Sequence, residues 1–314
     1  MTLEIIRYEQ TYENEVVNLW NECLSKDNIS IKIFRDQVLL DDNFSNEYAL
    51  IAKENNNVIG FILGVKRQIP YLERGMESEK AWIPIMFVKK EYRRLGIGKK
   101  MVQSIENKFV VLDVKKIVLA AYSPNYFFAG IDKKNYPEAI QFFEKLGYYK
   151  YGDAVSMHAD LWDYAFPDSV KMKMEEAYKA GFQFQKFTYK YCLALIEFVK
   201  VNFGGGWKRN VLMAMQNNTA EQVIWIAINR DDEVVGFCMR KMDGFDNRFG
   251  PFGVLETLRS HGIGSILFNL MMKDMREQRL YFLYFLWTHG DGMRFYLRNG
   301  VKVYREFDMY QKDI

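Results

Sequence analysis

Two short stretches carry the residue types and spacing that chemistry needs. Arg93-Arg94-Leu95-Gly96-Ile97-Gly98 and Arg259-Ser260-His261-Gly262-Ile263-Gly264 both read Arg-x-x-Gly-x-Gly, and each lies between an apolar run and a helical pattern. The first backbone amides of a helix have no partner within it and carry partial positive charge. Glycines let that backbone approach a ligand with no Cβ in the way. The combination is a cradle for a phosphate-like anion. Neither copy is a GxxxxGK[ST] loop. Neither has the third glycine of a dinucleotide loop, since Met101 and Leu267 stand at that position. Six Lys/Arg between Val88 and Lys100 would draw a polyanionic small ligand to the first copy.

The elements around the two loops repeat as well. Residues 49–64 and 223–240 each read strand, Asn/Asp turn, strand, ending in Val-Ile-Gly-Phe and Val-Val-Gly-Phe motifs of a hairpin. An apolar strand precedes each loop, Ile83 to Val88 and Phe249 to Val254. A helix follows, with Ile97, Met101, Ile105 and Phe109 on one face of the first copy and Ile263, Ile266, Leu267 and Leu270 on that of the second. Then come a buried strand (116–122 and 280–287) and a short helix closed by Gly147 or Gly300. The sequence therefore predicts one α/β unit written twice, each with a mixed sheet. The expected division is 1–165, a linker helix over 166–181 opened by Pro167 and Asp168 and closed by Gly181, and 182–314.

Bulk properties narrow the partners. A chain of 314 residues is long enough for two cores. Net charge +3 offers little to nucleic acid or an anionic membrane, so neither is expected as a partner. The longest apolar run, residues 280–287, is too short to span a bilayer. Glu4 and the lack of a long apolar core near the start argue against a secretory signal. Three scattered cysteines point to a reducing, cytoplasmic compartment. Three His and three Cys without ligand spacing lead to the expectation of no metal.

The stretches FVKKEYRRLGIGKKMV and GVLETLRSHGIGSILF resemble the pyrophosphate signature Arg/Gln-x-x-Gly-x-Gly/Ala of the GNAT (GCN5-related N-acetyltransferase) superfamily. The hairpins before them and the helices FFEKLGY and FYLRNGV after them fit as well, so the resemblance covers nearly the whole chain. It implies two tandem GNAT-like domains, each a mixed, mostly antiparallel sheet flanked by helices. It implies acetyl-CoA as acyl donor, lying between the strand before the loop and the strand after the helix. The pyrophosphate would sit on Arg93, Arg94, Leu95, Gly96, Ile97, Gly98 and Lys99, or on Arg259, Ser260, His261, Gly262, Ile263, Gly264 and Ser265. The pantetheine would run along Phe87 and Val88, or along Gly253 and Val254. An acceptor amine would attack the thioester directly in a ternary complex, with a strand N–H stabilising the oxyanion.

The resemblance also implies an acid. Many relatives carry a tyrosine in FYxxxG, and Tyr296 fills that place in the second copy, whereas Phe143 fills it in the first and has no hydroxyl. The second copy is therefore expected to be catalytic, with Tyr296 protonating the leaving thiolate. Asp246, Glu256 and His289 are candidates for the base or a relay. Residues 123–137 form a loop unique to the first copy, and Gly204 to Trp207 could shape an acceptor pocket or a turn. The leading expectation is an N-acetyltransferase for a small-molecule amine; the alternative is a non-catalytic CoA-binding or interaction protein. Aminoacyl transfer from tRNA fits poorly with two good cradles and near-neutral charge.

Overall fold

A computed structural model describes residues 3–259 and 261–314. The chain forms two compact units, Met1–Ala154 with Arg305–Ile314, and Val155–Tyr304.

In the first unit, β1 (Leu3–Arg7), β2 (Ala49–Glu54), β3 (Asn57–Val65) and β4 (Lys80–Val88) pair antiparallel in chain order, and β5 (Lys116–Leu119) joins β4 in parallel. The β2–β3 hairpin turns at Asn55 and Asn56, both at positive φ, which asparagine tolerates better than most residues. Helices α1 (Glu13–Cys23) and α2 (Ile31–Phe34) lie between β1 and β2 in the chain, and α3 (Ile97–Val111) between β4 and β5. Ile97, Met101, Val102, Ile105 and Phe109 of α3 are buried on the sheet, as the period of their spacing requires. Two glycines of β3 admit the helix. A Cβ on Gly60 would lie 3.2 Å from the Met101 sulfur, and one on Gly64 would lie 2.9 Å from Phe109. The glycine of the repeated hairpin motif is thus a helix-contact position, and Gly236 meets Leu267 in the same way. After β5 come β6 (Ile131–Asp132), α4 (Pro137–Lys145) and β7 (Tyr149–Asp160).

In the second unit, β8 (Gln183–Lys186), β9 (Ile224–Ile228), β10 (Val234–Arg240) and β11 (Phe249–Val254) form an antiparallel sheet in the order β11-β10-β9-β8. The expected linker helix is present as α5 (Asp168–Lys179), but it is no free connector. Val170 and Ala177 bury into the second unit's core, which also contains α9 (Ile263–Glu277). Helices α6 (Cys192–Phe203) and α7 (Gly205–Gln216) meet at Gly204, where φ is +85°, and Trp207 stacks on Phe203 at 4.7 Å. The glycine run is therefore a helix corner. The short α8 (Ala220–Val223) leads into β9.

The last strands follow neither 165 nor 182 as borders. Residues 155–160 of β7 pair with β12 (Phe282–Thr288) inside the second unit. After α10 (Gly290–Arg298), the chain's final strand β13 (Lys302–Asp313) returns to the first unit, pairing with β5 through Gln311 to Asp313 and with β6 through Phe307 and Asp308. Gly130 permits this close approach, because a Cβ there would overlap the Asp308 carbonyl oxygen.

Candidate active site

The first unit contains a cleft of about 1170 Å³ between β4, β5, the glycine loop and α4. Its origin is a break in strand pairing. Parallel bonding of β4 to β5 ends at Ile83 and Leu119, while β4 runs on to Val88. Pro84 follows directly and has no N–H to offer. The register of β4 against β3 also slips by one residue here, which turns the strand end aside. Beyond the break, antiparallel bonding alternates. The Lys89 amide donates to Ile59 at 2.8 Å, so the amides of Phe87 and Ile85 face β3 and those of Met86 and Val88 face the cleft. Val88 thus offers the strand donor that an oxyanion or a pantetheine amide needs, and Phe87 does not.

The loop closes one end of the cleft. Arg93 turns its side chain back, Nε donating to the Val88 carbonyl at 2.9 Å and Nη1 to Glu138 at 3.2 Å. Arg93 therefore ties loop, strand end and α4 together. Arg94 at φ +64° and Gly96 at φ +81° make the turn, and the first helical bond is that of the Lys100 amide to Gly96. The amides of Ile97, Gly98 and Lys99 are left at the helix start as donors. The Ile97 side chain is core, and Leu95 is 65% exposed outside the cleft lining, so only the backbone of either faces the cradle. A Cβ on Gly98 would crowd Met86 at 3.0 Å and Phe142 at 3.2 Å. Arg94, Lys99 and Lys90 line the same cleft and supply positive charge for an anion.

The second copy is built differently. Arg259 has helical dihedrals, is 61% exposed and pairs with Glu256 at 3.5 Å rather than with the strand end. The His261 amide is spent on the Leu258 carbonyl at 3.2 Å. A Cβ on Gly262 would meet the Lys173 side chain at 3.4 Å. The Ser265 hydroxyl donates to Asn299 at 2.9 Å. Gly264 faces Phe252 and Phe295, Ile263 is core, and Val254 is buried. Gly253 is required because a Cβ there would overlap the Phe203 ring. Ser260 lies outside the described residues.

Between β11 and β12 the space is filled with rings. Phe249 of β11 meets Phe285 of β12 at 6.1 Å, and Phe252 packs on Phe295 at 5.2 Å. Tyr296 is wedged among them, 4.4 Å from Phe285 and 5.5 Å from Phe268, and is only 9% exposed. Burial pushes its hydroxyl above the ordinary phenol range. The expectation of Tyr296 as acid presupposed an open cleft beside it, and the ring is instead core. The signal was present in the repeat alignment: where the first copy has Ile83, Met86 and Val102, the second has Phe249, Phe252 and Phe268. Three aliphatic positions became phenylalanine and closed the wedge. The candidate bases of this copy are surface ion-pair partners, Asp246 with Arg240 and Lys241, Glu256 with Arg259. His289 sits at the N-cap of α10 without a side-chain cap bond.

Sequence reasoning missed the polar groups of the first cleft. Tyr136, at the N-cap of α4, lines it and donates its hydroxyl to Asp27 at 2.6 Å. Burial and then Asp27 raise the Tyr136 hydroxyl above its usual range. Cys23 also lines the cleft; burial raises its thiol, while the charge of Arg93 opposes the shift. A second hollow of about 840 Å³, beside Tyr8, Arg35 and Gln68, has no glycine cradle. Among the described residues no group of His, Cys, Asp or Glu could hold a metal ion, and no helix is long and apolar enough to cross a membrane.

The acetyltransferase (GNAT) family profile matches residues 13–148 and again 193–301. Among solved structures, the chain is similar to a glucosamine N-acetyltransferase region of a fungal multi-domain GH3 β-N-acetylglucosaminidase, with TM-score 0.80 and 17% identity over 99% of this chain. The chain spans 38% of the length of that protein. A GCN5-related N-acetyltransferase from Sphaerobacter thermophilus gives TM-score 0.73 and 16% identity, covering 99% of this chain and 95% of the other. A tandem GNAT protein from the clavulanic acid biosynthesis pathway gives 0.68 and 11%, covering 99% and 98%. At these identities the likeness is one of fold. No curated protein matches the sequence.

Proposed function

Since the chain belongs to the acetyltransferase (GNAT) family in both of its repeats, we propose that it transfers an acetyl group from acetyl-CoA to the amine of a small molecule, with the donor held in the first unit. The observation that carries this reading is the open cleft running from the Gly96 to Lys99 backbone into the gap between β4 and β5. The residues there fit a phosphorylated thioester. Helix-start amides, Arg94, Lys99 and Lys90 match a pyrophosphate, and Gly98 leaves room that a side chain would fill. Acetyl-CoA, when bound, supplies the thioester carbonyl. The Met86 and Val88 amides face the same groove, so one can bind the pantetheine and the other stabilise the carbonyl oxygen as charge develops. Arg93 fixes the strand end through the Val88 carbonyl and so holds these donors in place. The second unit, with its wedge filled, serves as scaffold. The alternative, CoA binding without catalysis, shares the binding site and parts from this reading at turnover.

Calorimetric titration of acetyl-CoA tests the assignment. One site per chain is expected, abolished by Gly98→Glu, which sets a carboxylate in the cradle, and kept by Arg259→Glu, whose side chain is exposed in the second copy's loop. Two sites, or loss in Arg259→Glu alone, would return the donor to the second copy. No binding at millimolar acetyl-CoA would overturn the acyltransferase reading.

A further inference from the structure

An ion cluster borders the cleft and draws on both ends of the chain. Arg305, near the start of β13, donates Nε to Asp132 at 2.6 Å and Nη2 to Asp27 at 3.0 Å, with a further contact from Nη1 to Asp27. Its guanidinium also lies over the rings of Phe128 and Phe307. Asp132 is otherwise saturated, accepting from the amides of Lys134 and Asn135 and from Asn135 Nδ2. Among the described residues the Asp27 carboxylate has one other partner, the Tyr136 hydroxyl. Two carboxylates share one guanidinium, so the cluster carries one negative charge in excess. Tyr136 connects it to the cleft. Its proton points to Asp27, which leaves its oxygen lone pairs free to accept.

We propose that Tyr136 is the proton acceptor for the acceptor amine, relaying to Asp27, and that Arg305 is a positioning residue, so that the first unit's site is complete only with the chain's last strand. The proposal rests on the reading that acyl transfer occurs in this cleft. As the amine nitrogen bonds to the thioester carbon, its proton passes to Tyr136 Oη while the Tyr136 proton passes to Asp27. The C–S bond breaks, and the thiolate takes a proton from the solvent that enters the open cleft. Asp27 later returns its proton to solvent, so the net reaction is amide plus thiol.

The test uses the full chain, acetyl-CoA and hydroxylamine as a small amine nucleophile, with thioester loss followed by absorbance. Tyr136→Phe should lower kcat about 100-fold while the Kd for acetyl-CoA stays within about twofold, because the cradle is untouched. Asp27→Asn, which keeps a hydrogen-bond acceptor, should lower kcat with the same split. Arg305→Lys should recover part of what Arg305→Ala loses. Full kcat in Tyr136→Phe, or a fall in kcat matched by loss of acetyl-CoA binding, would overturn the proposal. So would acetyl-CoA binding in the parent chain without thioester loss. Failure of acetyl-CoA to bind at all would instead refute the underlying assignment of the cleft.

Discussion

Replacing Arg305 by methionine should cost the first unit far more than an ordinary substitution. The side chain is nearly enclosed, as are its partners: side-chain exposures are 12% for Arg305, 13% for Asp27 and 1% for Asp132. Removing one member of a buried ion cluster leaves uncompensated charge and costs about 3–5 kcal/mol, a large share of the roughly 5–15 kcal/mol that a domain has. The pH dependence separates this from simple loss of packing. Burial alone would raise the Asp132 carboxyl, but hydrogen bonds from Asn135 and Arg305 outweigh it and hold the value below the ordinary 3.8. A depressed folded value contributes stability above the unfolded value and loses it as pH falls through the folded one. Without Arg305 the burial effect gains weight and the folded value rises. The variant then suffers most at pH 7, and its deficit should shrink as pH falls toward 4 and the carboxyl takes up a proton. Urea unfolding at pH 7 and pH 4, with hydrogen exchange at β5 and β13 to locate the transition, reads both effects. A deficit under about 1 kcal/mol at pH 7, within the range of an exposed ion pair, would refute the reasoning. So would a deficit of equal size at both pH values.

Two other outcomes bear on the fold and the site. Tyr296→Phe should leave acetyl-CoA turnover unchanged, because the ring is held by phenylalanines of the closed wedge; a kcat loss of about 100-fold or more, the low end of what a true acid gives, would restore it as the acid. Gly130→Ala should destabilise the first unit by about 1–3 kcal/mol, since the new methyl overlaps backbone of β13 rather than a yielding side chain; an unchanged Tm would mean that strand is not held as described.

The sequence by itself determined whatever depends on neighbours along the chain. The period of Ile97, Met101, Ile105 and Phe109 gave α3 its buried face, Asn55 and Asn56 gave the hairpin turn, and the glycines at 96 and 98 gave the cradle. These are local choices of dihedral angle and periodicity, and a repeated pattern states them twice. Only the tertiary structure decided that one repeat's wedge closes while the other's stays open. The three phenylalanines that replace aliphatic residues are visible in the repeat, but their convergence with rings of β12 and α10 is not, and the aliphatic residues at the matching positions leave space in the other unit. The strand exchange was equally out of reach, because a chain's order does not say which sheet edge a final strand will cover. Arg305 and Asp27 stand 278 positions apart, and no spacing rule joins them. Burial joins them, because a guanidinium removed from water must find carboxylates wherever the fold brings them.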